Sequence, residues 1–206
     1  MKAFLYISIL FLMVNCTSEK SGELKTGLGT GEFEGFTLTN YPQGGIQKAV
    51  KVDKTGAIIL EGDVVDGKRE GAWISYQGGT KKDFPMGIIN YHKGIKNGLS
   101  VIFDNIGRFT LKEYYSNGHL EGRRVKQKFG KAIEESHYKN GILDGPFNTY
   151  YDTGSLKIKG FYENGKKEGN MIYYNLNGDV IMAYKYKNGE IVEKKNFKEE
   201  PETKVE

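Results

Sequence analysis

The sequence predicts an all-β protein: an elongated array of antiparallel β-hairpins that together form a single twisted or superhelical sheet. Three observations lead to this prediction. Glycine is abundant, with 28 residues, tyrosine reaches 14 and proline only 4, a composition that favours short strands joined by tight turns. A short motif returns about every 24 residues. Most copies of it contain Asn-Gly or Asp-Gly, the dipeptides preferred in two-residue hairpin turns.

The motif reads Tyr-x-Asn-Gly-x-x-x-Gly in its clearest copies. Its six occurrences are VVDGKREG, YHKGIKNG, YSNGHLEG, YKNGILDG, YENGKKEG and YKNGEIVE, with first glycines at Gly67, Gly94, Gly118, Gly141, Gly165 and Gly189. The intervals between these glycines are 27, 24, 23, 24 and 24 residues, and a fixed period of this length is typical of a repeat architecture. A second set of turn glycines falls between them, at Gly79, Gly107, Gly130, Gly154 and Gly178. Two turns in each period leave room for two short strands and for no helix of ordinary length.

Three stretches fit the pattern less well. The segment GEFEGFTLTNYPQGG (31–45) is similar to GKREGAWISYQGG (67–79), and we interpret it as a degenerate first copy of the repeat. The charged segment RRVKQKFGKAIEES (123–136) is also compatible with a helix, but the copies on both sides require strands there. Pro85 lies in the longest interval and predicts a longer loop or a bulge at a sheet edge, because proline cannot donate a ladder hydrogen bond.

The first residues have the features of an export signal. Lys2 precedes an apolar run, Ala3–Val14, which has the length of a signal-peptide core and is shorter than the roughly 20 residues of a membrane-spanning helix. The letters MVNC, followed by Thr17 and Ser18, resemble the cleavage box of bacterial lipoprotein signals. That resemblance implies cleavage before Cys16 and acylation of its thiol. The alternative is an ordinary secretory signal, which Asn15 disfavours because such cleavage prefers small residues.

These observations divide the chain into four parts. Residues 1–15 are the predicted signal peptide, and residues 16–30 a flexible spacer after the lipidated Cys16. Residues 31–193 form the predicted hairpin repeats, clearest over 56–193, and residues 194–206 a charged, poorly ordered tail. Cys16 is the only cysteine, so an internal disulfide is excluded.

The repeat is similar to the variant MORN repeat of bacterial proteins, on the motif Tyr-x-Asn-Gly-x-x-x-Gly followed by an aromatic pair and another turn glycine. The same pattern occurs in the group labelled YwqK-like antitoxins. The resemblance covers about Gly56–Glu193. It implies a scaffold or binding module, and the antitoxin label implies a cytoplasmic role that an exported lipoprotein does not share.

Two columns of residues recur in the repeat. A tyrosine column, which is the candidate binding ridge, consists of Tyr91, Tyr115, Tyr138, Tyr162 and Tyr186, with Val64 at the same position in the first copy. We expect these rings to pack within the sheet; exposed rings would instead form a stacking surface for a partner. The residues before the second motif glycine are Glu70, Asn97, Glu121, Asp144 and Glu168. We interpret them as solvated turn residues, since carboxylates about 10 Å apart cannot converge on one Ca²⁺.

Catalytic and cofactor chemistry find no support in the sequence. His92, His119 and His137 occupy different positions of the repeat and lack metal-ligand spacing. The sequence contains neither a P-loop nor a nucleophile elbow. The net charge of +4 is too small to predict a nucleic-acid partner. We therefore predict no enzyme, no metal or other cofactor, and no small-molecule substrate.

The sequence thus predicts a lipoprotein held to the membrane by the lipid on Cys16 and expected at the outer membrane, facing the periplasm or the cell surface. Its predicted role is that of a non-enzymatic protein-interaction or scaffold module at the bacterial cell envelope, with a protein partner of unknown identity. Two alternatives stay open. One is a carbohydrate- or cell-wall-binding module, which normally needs a tryptophan in each copy, whereas Trp73 is alone. The other is an antitoxin or immunity protein.

Overall fold

A computed structural model of the chain describes residues 26–78 and 85–197. The predicted signal peptide, Cys16, Gly79, most of the predicted spacer and residues 198–206 of the predicted tail lie outside the described residues. Within the described part, the secondary structure is almost entirely β, with one 3-10 turn at Gly31–Phe33.

Seventeen strands alternate with short turns along the chain. In chain order they are β1 (Thr26–Leu28), β2 (Thr37–Asn40), β3 (Ile46–Val52), β4 (Ile58–Val65), β5 (Lys68–Tyr76), β6 (Pro85–His92), β7 (Ile95–Phe103), β8 (Phe109–Ser116), β9 (His119–Leu120), β10 (Gly122–Lys128), β11 (Lys131–Lys139), β12 (Ile142–Tyr150), β13 (Leu156–Glu163), β14 (Lys166–Lys167), β15 (Gly169–Tyr174), β16 (Val180–Lys187) and β17 (Glu190–Asn196).

All strands belong to one open antiparallel sheet in which spatial order follows chain order. β9 and β10 together occupy one strand position beside β8, because both pair with it. In the same way β14 and β15 together occupy one position beside β13. With strands about 4.8 Å apart, the sheet measures roughly 65 Å across, against about 27 Å along a strand of eight residues. The predicted fold class, an elongated array of antiparallel hairpins, is confirmed.

The turns explain why this sequence makes hairpins. All six first-motif turns contain two residues, and both have positive φ; for example, Asn164 has a φ of 49° and Gly165 one of 79°. This is the type I′ geometry, whose twist matches that of the flanking strands and which Asn-Gly adopts at the lowest cost. On the opposite edge, most connections span five residues with a glycine at positive φ, such as Gly56 and Gly154. The segment 123–136, for which a helix was the alternative, forms β10 and β11.

One face of the sheet is packed more closely than the other. We call it the tyrosine face; it carries Trp73, Tyr115, Phe147 and Met171. Along its central row large side chains stand beside small ones, so that Trp73 covers Gly62 and Met171 covers Gly160. A Cβ atom at Gly62 would lie 2.3 Å from the indole of Trp73, so only glycine allows this packing.

The N-terminal end of the tyrosine face is covered by the chain itself. Phe33 and Phe36 fold onto Trp73, each with its ring centroid 5.9 Å from the indole. With Ala49 and Val64 they form the buried hydrophobic cluster of this end. Val64 occupies the position of the tyrosine column in the first copy. Its smaller side chain is buried in the same cluster as Phe33 and Phe36.

The sheet extends beyond both predicted ends of the repeat region. Thr26–Leu28, placed in the predicted spacer, forms β1 because its backbone pairs with β2. At the other end β17 runs to Asn196, paired with Met182 of β16, beyond the predicted boundary at 193. The segment 31–45 also departs from its sequence echo, because β2 forms a hairpin with β3 while Phe33 and Phe36 are drawn onto Trp73.

Candidate functional site

The predicted tyrosine ridge follows one row of the tyrosine face. Each tyrosine lies directly opposite the second motif glycine of the preceding copy; the pairs are Gly71 with Tyr91, Gly98 with Tyr115, Gly122 with Tyr138, Gly145 with Tyr162 and Gly169 with Tyr186. An aromatic side chain opposite a glycine shields backbone that the glycine leaves bare. The first four tyrosines are half-buried, and Tyr186 is buried, with 8% of its surface exposed.

Cations cover the ridge in three of its five copies. The covering residue stands two positions after the turn glycine of the preceding copy. Arg69 Cζ lies 5.3 Å from the ring centroid of Tyr91, Lys96 Nζ 4.8 Å from that of Tyr115, and Lys167 Nζ 4.9 Å from that of Tyr186. These cation–π contacts occupy ring faces that a stacked ligand would need.

The middle of the tyrosine face is polar and internally paired. Tyr115 donates a hydrogen bond to Glu113, which is only 7% exposed, at 2.9 Å. Arg124 bridges Glu113 and Glu134, with N–O distances of 3.1 and 3.2 Å. Burial, together with the hydrogen bond to Glu113, raises the pKa of Tyr115 to about 12. The phenol is therefore a hydrogen-bond donor at neutral pH, and its donor is already used.

The residues before the second motif glycine have a structural task that the sequence interpretation missed. Each accepts a hydrogen bond from the backbone N–H of the first turn residue in the next copy. The bonds are Lys93 N to Glu70 at 2.8 Å, Asn117 N to Asn97 at 3.3 Å, Asn140 N to Glu121 at 2.8 Å, Asn164 N to Asp144 at 2.9 Å and Asn188 N to Glu168 at 2.7 Å. These residues lie at solvent-exposed turns, and they also cap the neighbouring turn, a role that their interpretation as solvated turn residues did not include.

A second hydrogen bond joins the same turns. The N–H of each turn glycine donates to the carbonyl oxygen of the residue that precedes the capping residue in the copy before. The donor–acceptor pairs are Gly94 and Arg69, Gly118 and Lys96, Gly141 and Leu120, Gly165 and Leu143, and Gly189 and Lys167, at 2.8 to 2.9 Å. The two bonds fix each turn on its neighbour, so this edge is a stack of tied turns that has little freedom to move.

The opposite edge of the sheet exposes large apolar side chains at three turn tips. Ile106 is 58% exposed, Phe129 74% and Leu176 61%. We call these three residues the apolar tips. Scattered exposed apolar residues are ordinary, but these three occupy the tips of turns on one edge, where they project beyond the packed strands.

Phe129 is the most unusual of the three. It has a φ of 51°, in the left-handed region, which costs an L residue with a Cβ atom about 1–2 kcal/mol. Every other first-position residue of a two-residue turn here is Asn, Asp or Lys. Because most of the ring is exposed, packing does not offset this cost. Strained residues of this kind tend to occur where function requires them.

Basic side chains surround Phe129. Arg108 Cζ lies 5.9 Å and Lys128 Nζ 5.6 Å from its ring centroid. A hollow of about 200 Å³ beside the ring is lined by Lys128, Lys131, Ile133 and Asp152. The sequence did hold a signal for this site: the 23-residue interval is the shortest, and it contains the two-residue turn Phe129–Gly130, where most other copies have five residues.

The histidines and acidic residues do not assemble a metal site. His92 Nδ1 lies 2.8 Å from Glu70, and His137 Nδ1 lies 3.3 Å from the carbonyl oxygen of Pro146. Across residues 26–78 and 85–197, no three His, Cys, Asp or Glu side chains are placed to bind one metal ion. In the same ranges no helix has the length and apolar character needed to cross a membrane.

Comparison with known proteins does not place the chain in a family. No family model matches the sequence, and no curated protein matches it.

Proposed function

We propose that this protein is a lipoprotein, anchored through Cys16, whose sheet is a non-enzymatic protein-interaction module at the bacterial cell envelope. Its contact surface is the edge that carries Ile106, Phe129 and Leu176. The N-terminal sequence supports export and acylation. The hydrogen bonds between successive turns of the opposite edge would hold the sheet that carries this contact surface in place.

One observation carries the proposal: Phe129 combines a positive φ with 74% exposure. A turn selected for stability alone would have Asn at this position, as four of the first-motif turns do. Phenylalanine, like tyrosine and tryptophan, is enriched in protein interfaces relative to the rest of the surface. Arg108 and Lys128 are paired with Asp104 and Asp152. With Lys131 the basic groups still outnumber these two acids, and this excess favours a partner surface that surrounds its apolar pocket with acidic groups.

The same geometry favours a protein partner over a stacked carbohydrate. Saccharide rings stack on free aromatic faces, and Lys96 and Lys167 lie over the rings of Tyr115 and Tyr186. Arg108 and Lys128 also approach the ring of Phe129, at 5.9 and 5.6 Å from its centroid, but Phe129 keeps 74% of its surface exposed, which leaves it free to insert into a pocket of a partner.

Photo-crosslinking in living cells tests the contact surface. A photoreactive phenylalanine analogue at position 129 should give a discrete crosslinked protein. The matched control is the same analogue at Thr55, an exposed residue at a turn tip of the same edge that is several strands away from Phe129. Equal adducts from both positions, or none from position 129, would refute Phe129 as the anchor.

Fractionation tests the lipid anchor separately. Cys16→Ala should release the protein from the membrane fraction, because the thiol that would carry the acyl chains is lost. Unchanged membrane association of the variant would refute anchoring through Cys16 while leaving the contact surface to be judged by the crosslinking result.

A further inference from the structure

The sheet ends at β17 with an edge that no described strand covers. β17 pairs with β16 alone, and all seven of its residues are exposed. Ile191 and Val192 are 43% and 56% exposed. The backbone N–H and C=O groups on the outer side of such a strand can pair with another strand. The opposite end of the sheet is β1, which has only three residues.

The sixth copy lacks the residues with which each earlier copy holds the next turn. Val192 stands at the position of the capping residues, for example Glu168, and cannot accept a hydrogen bond through its side chain. Glu193 replaces the second motif glycine, for example Gly169. The outer edge of β17 therefore lacks the capping residue and the glycine with which the earlier copies hold the next hairpin.

The charges of β17 are arranged in two blocks. Glu190 and Glu193 precede Lys194 and Lys195. The register with β16 shifts by one residue between the pair Tyr186–Ile191 and the pair Lys185–Glu193. Because side chains alternate between faces along a regular strand and this bulge inserts one residue, Glu190 and Lys195 lie on the same face of the sheet.

This arrangement is self-complementary in the antiparallel sense. When two β17 strands run antiparallel about their centre, Glu190 of each copy lies opposite Lys195 of the other, on the same face. Opposite charges on directly facing residues stabilise a strand pair. Lysines on an edge strand normally oppose association, but here each Lys195, which pairs with Glu193 of its own strand at 3.1 Å, also meets Glu190 of the other copy.

We propose that β17 pairs with β17 of a second copy, which joins the two sheets into one continuous antiparallel sheet about a twofold axis. A twofold axis perpendicular to the sheet keeps the tyrosine faces of both copies on the same side. The two chains then meet at their β17 strands, and their β1 strands lie at opposite ends of the joined sheet. The proposal depends on the sheet alone and not on the proposed partner or the lipid anchor.

Sedimentation velocity of the purified full chain over a range of protein concentrations tests this dimer. Detergent is included so that neither the apolar run Ala3–Val14 nor an acyl group drives association. We expect a concentration-dependent monomer–dimer equilibrium, since one strand pair is a small interface. Glu190→Lys and Lys195→Glu should each shift the protein to monomer, because each places two like-charged pairs across the junction.

An equimolar mixture of the two variants provides the decisive measurement. The Glu190→Lys chain is then positive at positions 190 and 195 and the Lys195→Glu chain is negative at both, so the facing charges are opposite and a heterodimer should form. Glu163→Lys, an exposed charge change on β13 that is remote from the edge, is the matched control and should dimerise like the wild type.

Three results would overturn the proposal. They are a wild-type chain that stays monomeric at every concentration, dimerisation unaffected by either charge reversal, and a mixture that stays monomeric. If the chain dimerises only when truncated after Phe197, the tail occupies the edge in the intact protein, and the proposed dimer is again refuted.

Discussion

The carboxylate of Glu168 accepts a hydrogen bond at 2.7 Å from the backbone N–H of Asn188, twenty residues further along the chain. The equivalent bond recurs at each of the five junctions between the six motif copies. In a repeat protein each unit contacts only its neighbours, so such junction contacts couple one unit to the next. The capping residue and the turn asparagine therefore act as a pair across copies, and the motif spacing preserves this pair.

Loss of this bond should loosen one junction. Glu168→Ala should lower the free energy of unfolding by about 1 kcal/mol, because the N–H of Asn188 loses its acceptor. Chemical denaturation measures the change. Glu163→Ala removes an exposed carboxylate from the neighbouring strand and serves as control. Hydrogen exchange should show faster exchange at the N–H of Asn188 in the first variant only; equal stability of both variants would contradict the capping role.

The glycines of the central row should tolerate alanine unequally. Gly62→Ala should destabilise the protein by about 1–3 kcal/mol, since the new methyl group overlaps a ring. That ring belongs to Trp73, which Phe33 and Phe36 hold in place and whose indole N–H donates to the carbonyl oxygen of Asp63 at 3.1 Å.

Gly160→Ala should cost less, although its Cβ would meet Met171, because a methionine side chain can change rotamer. Thermal unfolding of the two variants gives the comparison. The reverse order of stability would show that Trp73 is less firmly held than its contacts indicate.

Replacing Phe129 with asparagine should stabilise the folded protein. Phe129→Asn should raise the free energy of unfolding by about 1 kcal/mol, because asparagine adopts the left-handed conformation more readily than phenylalanine. The same variant should lose the envelope partner. The converse change, Asn164→Phe, places phenylalanine in an equivalent turn and should destabilise. A destabilised Phe129→Asn protein would mean that the ring contributes packing in the folded state.

High pH should weaken the fold through two half-buried tyrosines, Tyr76 and Tyr115. Burial and a carboxylate partner raise the pKa of Tyr115, and likewise of Tyr76, from the ordinary value of 10 to about 12. The folded chain then keeps protons that the unfolded chain has lost, so this contribution is complete below pH 10 and disappears as the pH rises to about 12.

Absorbance titration of tyrosinate checks this expectation. The wild type should show a component that ionises near pH 12, and Tyr115→Phe should reduce its amplitude by one phenol. The variant's stability should also fall less steeply above pH 10 than that of the wild type. Full ionisation of all tyrosines near pH 10 would contradict the burial of the Tyr115 hydroxyl.

Local features were predictable from the sequence because they depend on nearest neighbours. The Asn-Gly pairs specified the type I′ turns at positions such as Asn140–Gly141, and the period specified two strands per copy. The capping by Glu168 could not be predicted, since its partner at Asn188 belongs to the next copy and is identified only by the register between strands. The tyrosine column could be predicted, because it follows from the spacing of the motif. The cations Lys96 and Lys167 that cover it could not, because their contacts depend on the register between strands.

The sequence alone determined the class of fold, the hairpin period and the location of the tyrosine column, because turn conformation and side-chain alternation are local properties of the backbone. Only the tertiary structure decided which rings are covered, that Phe33 and Phe36 close one end, and that Phe129 projects while strained. Each of these depends on distances between residues far apart in the chain, and register and packing across strands set such distances. The open edge of β17 belongs to the same group, because a strand is an edge only with respect to the strands beside it.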